Sequence, residues 1–423
     1  MVLHLMATFP PLSQTFVMRE IRQLRVQGWN VVIGQLRPTH KTHTARGFED
    51  LNPFVIPVSW FSFDMVVGLL FFLIFRPRRA WDCLRITARS WKQPAQFLKM
   101  TYVLLASMRL AFRHRDLRVE IVRAHFLHTE ALAARFIGTL LEVPYSITVY
   151  TVFVDYPKWI VSDIVRHAVF VVADTAQAKE FILSLGGSAE KVQVVYNSVD
   201  FDEFPLRTPM DEAVPPVVLA VARLDPKKGF DVLLLACSIL LRRGVDFRCV
   251  VVGDGAERKR LLAMRQSLQL ENHVEMPGKL SFGQVKSWLY RAAVFAMPSV
   301  VTPEGETDGL PTVVIEAMAS SLPIVGTWTA GIPEAVHEQV NGFLVPPNAP
   351  ELFADRVQFL LATPDLRARF GTEGRRLAEM HFDLKRKASI ISELIRQYVG
   401  FSPHSSPLSL PQSEHVLQSQ EPQ

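Results

Sequence analysis

At 423 residues the chain has room for two domains of ordinary size. Its three cysteines, Cys83, Cys237 and Cys249, lack the spacing of a disulfide framework or a zinc site, which suits a reducing cytoplasm. The net charge of +5 is not a general basic excess: residues 76–123 carry 12 Lys/Arg against 3 Asp/Glu, a local surplus of 9, with no nucleic-acid recognition motif.

The chain opens on Met1-Val-Leu-His-Leu-Met, a strand pattern with no basic segment ahead of it, so no secretory signal is expected. Further short strands read at 29–34, 121–125, 145–149, 168–172 and 192–196. Helical stretches separate them, which predicts a parallel, doubly wound domain over residues 1–202. Between the second and third strands lies Met65-Val-Val-Gly-Leu-Leu-Phe-Phe-Leu-Ile-Phe75, followed abruptly by Arg76-Pro-Arg-Arg79. Eleven apolar residues are too few for a bilayer, which needs about 20. The run is either a buried core helix or part of a shallow dock. Trp-bearing helices beside an Arg-rich face favour docking of residues 60–123 on an anionic leaflet, at the inner face of the plasma membrane. His125 and His128 stand three apart without a third ligand, which suits one pocket histidine and one surface histidine, not a metal site.

Residues 203–216 form a proline-rich linker, and a second domain is expected at 217–381. There, Val217–Leu224 reads as a buried strand running into Asp225-Pro-Lys-Lys-Gly229, with a helix from Phe230 to Leu241. Val250-Val-Val252 is a second strand, ending in Gly253-Asp254-Gly255 before a helix over Ala256–Leu268. Arg223, Lys228 and the Gly-Asp-Gly turn therefore fall at the carboxyl ends of parallel strands, where open α/β sheets bind ligands. Two cations and glycine turns at helix starts suit a diphosphate, although neither GxGxxG nor GxxxxGK[ST] occurs. Asp308 lies in a later loop. The turn Gly309-Leu310-Pro311 opens a helix whose first N–H groups can point at an anion. Glu316 lies about two turns into that helix, placed to accept hydrogen bonds from a pair of sugar hydroxyls. Leu384–Val399 reads as an amphipathic helix within 382–400, and the Ser/Pro/Gln-rich residues 401–423 are expected to be disordered.

Taken in order, Ala222–Gly229, Val252–Gly255, Met276-Pro-Gly278, Met297-Pro-Ser299, Asp308–Ala319, Gly331-Ile-Pro-Glu334 and Asn341–Pro347 resemble the donor half of glycosyltransferase family 4, the group 1 glycosyltransferases. Phe9–Phe16 with Arg19-Glu-Ile21, and Arg123-Ala-His125-Phe126, resemble the bacterial polysaccharide-biosynthesis branch of that family. The resemblance implies a GT-B fold: two Rossmann-like, doubly wound parallel-sheet domains facing across a cleft, with the final helix returning to the first. It implies retaining transfer from a nucleoside-diphosphate sugar, with no cofactor and no metal. Arg223 and Lys228 would hold the diphosphate and stabilise the leaving group. Glu316 would hydrogen-bond the ribose, and Asp308 stands where the family has the first Glu of its paired-acid motif. Gly309, Leu310 and Pro311 would set backbone amides near sugar and phosphate, Gly253, Asp254 and Gly255 would border the phosphates, and Gly278 and Leu280 the base. Ser13, His125 and Tyr150 would belong to the acceptor side of the cleft. Tyr150 occupies the place of a family His. A phenol with a pKa near ~10 is a poor base, so an orienting role is expected. Ala173-Asp174 and Asn197-Ser198 replace a Ser-Glu and an Asn-Gly pair. The expected partners are a nucleotide sugar, a lipid-linked or glycan acceptor and an anionic membrane surface, with no nucleic acid. The alternatives are a soluble transferase acting on a small molecule, and a degenerate homologue that binds sugar nucleotides without turnover.

Overall fold

The computed structural model of the chain describes residues 1–9, 15–38, 47–56, 62–150, 156–206, 214–307 and 309–399. Ser13, Asp308, Trp60, the middle of the linker at 207–213 and the segment 401–423 lie outside the described residues.

Two all-parallel sheets organise the molecule. The first holds β1 (Val2–Met6), β2 (Val31–Gln35), β3 (Val55–Ile56), β4 (Ile121–His125), β5 (Tyr145–Val149), β6 (Phe170–Ala173) and β7 (Val192–Val194), in the order β3-β2-β1-β4-β5-β6-β7. The second holds β8 (Val217–Val221), β9 (Arg248–Val252), β10 (Val274–Gly278), β11 (Val294–Met297), β12 (Ile324–Thr327) and β13 (Gly342–Val345), in the order β10-β9-β8-β11-β12-β13. Helices cover both faces, so the strands are buried on both sides rather than alternating: all five residues of β1 are buried. In each sheet the order reverses beside the first strand, between β1 and β4 and between β8 and β11, which opens a crevice at the carboxyl edge.

Sequence and structure agree closely on β4 and β5. The strand expected from Trp29 begins at Val31, because Gly28 takes a left-handed φ of +88° and the Trp29 N–H still closes the preceding helix on Leu24. The strand expected from Ala168 begins at Phe170, because the Ala168 N–H ends its helix on Ile164.

The last helix, Leu384–Arg396, lies on the first domain. Its Ile391 and Ile395 join the cluster of Val2, Met6 and Val17, and the Trp29 indole donates to Ser392 Oγ at 2.7 Å. Lys387 from this helix is buried 3.4 Å from Glu20, which also pairs with Arg123 of β4 at 2.9 Å.

Residues 63–113 form three helices, Phe63–Phe75, Pro77–Ala88 and Pro94–Arg113, the last two opening on proline, whose missing N–H costs nothing there. The first is neither wholly core nor wholly surface. Met65, Gly68 and Phe72 are buried. A Cβ on Gly68 would stand 2.8 Å from the Met108 carbonyl oxygen, so glycine permits a close helix crossing. The opposite row is bare: Phe63 is 80% exposed, and Val66, Leu70, Ile74 and Phe75 are also exposed, as are Trp81 and Trp91 nearby. Among the described residues no helix is long and apolar enough to cross a membrane.

Candidate active site

The loop after β8 carries both cations, and backbone contacts fix it on two sides. Towards β9, the Ala222 and Leu224 N–H groups donate to Val252 and Asp254 at 3.1 and 3.0 Å. Towards β11, Gly229 takes a φ of +64°, and a Cβ there would lie 2.0 Å from the Pro298 carbonyl oxygen. The Val300 N–H donates to Lys227 at 2.9 Å. This puts Arg223 and Lys228 at the β8/β11 crevice. Arg223 has an exposed side chain whose Nε donates to Asp225 at 2.5 Å.

Glu316 approaches the same place from the helix Thr312–Ala319, which starts after Pro311. Its carboxyl is largely enclosed. Burial raises its pKa above the ordinary carboxylate value, Arg19 opposes that rise, and Glu203 reinforces it. Arg223, Lys228, Leu280, Phe282, Pro311, Thr312 and Glu316 surround one cleft of about 360 Å³. Five residues singled out from the sequence, Arg223, Lys228, Leu280, Pro311 and Glu316, thus meet in space. Among the described residues no group of three or more His, Cys, Asp or Glu is arranged to hold a metal ion.

The glycine turn stands behind the Arg223 loop. Gly253, Asp254 and Gly255 do not line this cleft. A Cβ on Gly253 would meet the Ala222 carbonyl oxygen at 1.8 Å, and one on Gly255 the Leu224 carbonyl oxygen at 2.5 Å. These glycines let two backbones touch and hold the Arg223 loop from behind. Gly278 also stands behind the wall: its carbonyl accepts the Gly253 N–H at 3.0 Å.

Gly309 packs against the first domain, while Leu310 joins the core of the second. A Cβ on Gly309 would lie 2.6 Å from the Tyr150 carbonyl oxygen and 2.8 Å from Asp174 Oδ2. Asp174 is buried at this junction, and burial pushes its carboxyl up to about 7. Beside it the Glu334 carboxylate of the second domain accepts the Ala176 N–H at 2.8 and 3.0 Å, capping the helix Ala176–Ser184 across the domain boundary. Asn197 donates to Thr312 Oγ1 at 2.7 Å.

His125 and Tyr150 lie deeper than an exposed acceptor group. Neither lines the cleft that holds Arg223. Both are buried, with His125 Nε2 3.1 Å from His4 Nδ1 and His125 Nδ1 3.3 Å from the Tyr150 hydroxyl. Burial holds both imidazoles well below the usual histidine pKa, helped at His4 by His125 and then Arg123 and at His125 by Arg123 and then Lys387, so they are neutral at pH 7. His128 is half-buried at the start of the next helix. No local pattern marks Arg19, Glu334 and Asn197 as crossing the domain boundary, because their contacts join segments remote in the chain.

Comparison with known proteins matches residues 209–377 to the family described as glycosyl transferases group 1. An Escherichia coli K12 protein named as a colanic acid biosynthesis glycosyltransferase, WcaL, is 39% identical over 173 residues, 41% of this chain and 43% of that protein. The amylovoran biosynthesis glycosyltransferase AmsK of Erwinia amylovora is 33% identical over 39% of this chain and 40% of its own length. The matched region spans less than half the length of these curated relatives. Among solved structures, Anabaena HepE in complex with UDP and glucose superposes with a TM-score of 0.71 at 17% identity, over 93% of this chain and 99% of that one. Sucrose-phosphate synthase from Thermosynechococcus elongatus gives 0.69 at 18% identity, over 94% and 98%. Residues 209–377 thus resemble the group 1 glycosyltransferases, and the two parallel sheets of the chain form a GT-B fold.

Proposed function

We propose that the chain is a glycosyltransferase of polysaccharide biosynthesis. It moves a sugar from a nucleoside-diphosphate sugar to a hydroxyl of a lipid-linked or polysaccharide acceptor, with retention at the anomeric carbon. The observation that carries this reading is the meeting of Arg223, Lys228, Glu316 and the start of the helix Thr312–Ala319 around one cleft at the β8/β11 crevice. Two cations and free helix N–H groups supply the charge a diphosphate needs, and they do so without a metal. Glu316 accepts the ribose hydroxyls, and the leaving phosphate takes the acceptor proton, so no strong protein base is required. The names of WcaL and AmsK, and the UDP and glucose held by HepE, support the choice of donor and product class. In the direct test, the anomeric proton of the product is followed by NMR during transfer, with and without a chelator. The α-linked product of an α-linked donor, formed equally with chelator, is expected. An inverted product contradicts retention, and loss of activity with chelator contradicts the metal-free diphosphate site.

The acceptor side is proposed to sit on an anionic membrane through residues 60–123. Support comes from the bare apolar row Phe63, Val66, Leu70, Ile74 and Phe75, with exposed Arg76, Arg78, Trp81 and Trp91 beside it. Each basic residue near such a surface adds on the order of 1 kcal/mol, screened by salt. Replacing Arg76 and Arg78 by Ser is expected to weaken co-sedimentation with anionic vesicles several-fold and to leave donor binding unchanged. Arg79 is a poor target because it pairs with Glu142 and donates to the Leu140 carbonyl. Equal sedimentation with neutral and anionic vesicles, insensitive to salt, contradicts the electrostatic part. No sedimentation at all favours a soluble acceptor.

A further inference from the structure

Arg19 reaches the donor cleft from the opposite domain. It lies on the helix Thr15–Val26 and is about nine-tenths buried. Its Nη2 is 2.9 Å from Glu203 Oε2, in the short turn after the first sheet, and its Nη1 is 3.8 Å from Glu316 Oε1. Its guanidinium carbon stands 5.1 Å from the centre of the Phe282 ring. Glu316 and Phe282 both line the cleft. One first-domain cation therefore touches two walls of a pocket built by the second domain.

We propose that Arg19 is a positioning residue for the donor nucleotide: it holds Glu316 as an oriented carboxylate facing the ribose, and Glu203 sets the strength of that hold by sharing the same guanidinium. The inference rests on the sugar-nucleotide reading of the cleft. A carboxylate accepts on both oxygens, whereas a protonated carboxyl turns one of them into a donor and grips a pair of hydroxyls less well. Glu316 is mostly enclosed, so its charge needs support. The charged groups facing it are Arg19 from the first-domain helix, Glu203 from the turn, and Arg223 and Lys228 from the loop after β8. Burial raises the Glu316 carboxyl, so the accepting form is lost at a higher pH than for an ordinary carboxylate. Removing Arg19 raises it further. Removing the Glu203 charge lowers it, both directly and by releasing Arg19 to Glu316. Two substitutions on either side of one guanidinium thus have opposite signs.

The test uses the full chain and calorimetric binding of UDP-glucose and GDP-mannose from pH 4.5 to 8. Both probes have doubly esterified diphosphates that do not titrate in this range. For whichever binds, Arg19→Met is expected to lower affinity about tenfold and move the pH midpoint of binding up by about one unit, the usual effect of losing a near opposite charge. Arg19→Lys keeps the charge and is expected to restore most of the midpoint. Glu203→Gln is expected to move it down. A midpoint unmoved in Arg19→Met, even with weaker binding, assigns Arg19 a merely structural role and overturns the proposal. Shifts of the same sign in Arg19→Met and Glu203→Gln also overturn it. Should Arg19→Met fail to fold, Glu203→Gln decides alone, because Glu203 has a side chain 40% exposed and tolerates the change. Wild-type protein that binds neither probe overturns the donor reading and this proposal together. Binding with unmoved midpoints overturns this proposal only.

Discussion

Replacing Lys228 with alanine is expected to lower kcat/KM by about 30- to 1,000-fold, or about 2–4 kcal/mol of transition-state stabilisation. As the sugar departs, negative charge grows on the leaving diphosphate, and a preset cation at that point acts when it matters most. The loop that carries Lys228 is held by its backbone: the Lys228 N–H donates to Asp225 at 3.0 Å, and Gly229 packs on Pro298. Alanine leaves those contacts in place, so the loss is expected in turnover and not in folding. Steady-state kinetics with an unchanged thermal midpoint check this. Near-wild-type turnover in the Arg223→Ala, Lys228→Ala double variant removes the assignment.

The second large effect lies in the core. Glu20 is fully buried between Arg123 of β4 and Lys387 of the final helix. Glu20→Gln leaves two buried cations without their counter-charge, and breaking a buried pair in this way costs about 3–5 kcal/mol. Urea denaturation followed by circular dichroism is expected to show a matching fall in midpoint. Lys387→Met keeps the Arg123–Glu20 pair and is expected to cost less. The same group gives a pH dependence. Burial alone would raise the Glu20 carboxyl, yet Lys387 and Arg123 together hold it below its ordinary value of 4.5. A depressed folded-state pKa means the stabilisation is present above pH 4.5 and is lost as pH falls below it. Equal urea midpoints for wild type and Glu20→Gln at pH 7 contradict this account of the core.

How much of this was legible in the sequence depends on what kind of signal each feature leaves. The continuous apolar run of β8 shows a strand buried on both faces without further help, since only strands covered on both faces are apolar throughout. Arg223, Lys228 and Glu316 could be placed together because carboxyl edges of successive parallel strands share one side of a sheet. Strand and helix ends moved by one or two residues where hydrogen bonds such as Ala168 to Ile164 extended a helix. The Gly253-Asp254-Gly255 turn stands behind the cleft wall and does not line it. A glycine turn that cradles phosphate and one that lets two backbones touch have the same composition, and only the Ala222 carbonyl against Gly253 separates them. Arg19 on Glu316 and Glu334 on the Ala176 N–H left no local trace, because each joins two domains. The helix Phe63–Phe75 is apolar on every side, so periodicity could not say which row faces the core.

The central claim is that a nucleoside diphosphate occupies the cleft between Arg223, Lys228 and Glu316. Thermal shift with a panel of nucleoside diphosphates, on wild type and on the Arg223→Ala, Lys228→Ala variant, tests it most directly. One member of the panel is expected to stabilise the wild type, by about 2.7 kcal/mol at a hundredfold excess over its Kd, and to leave the variant nearly unmoved. No shift in the wild type with any base, or an equal shift in the variant, contradicts the account.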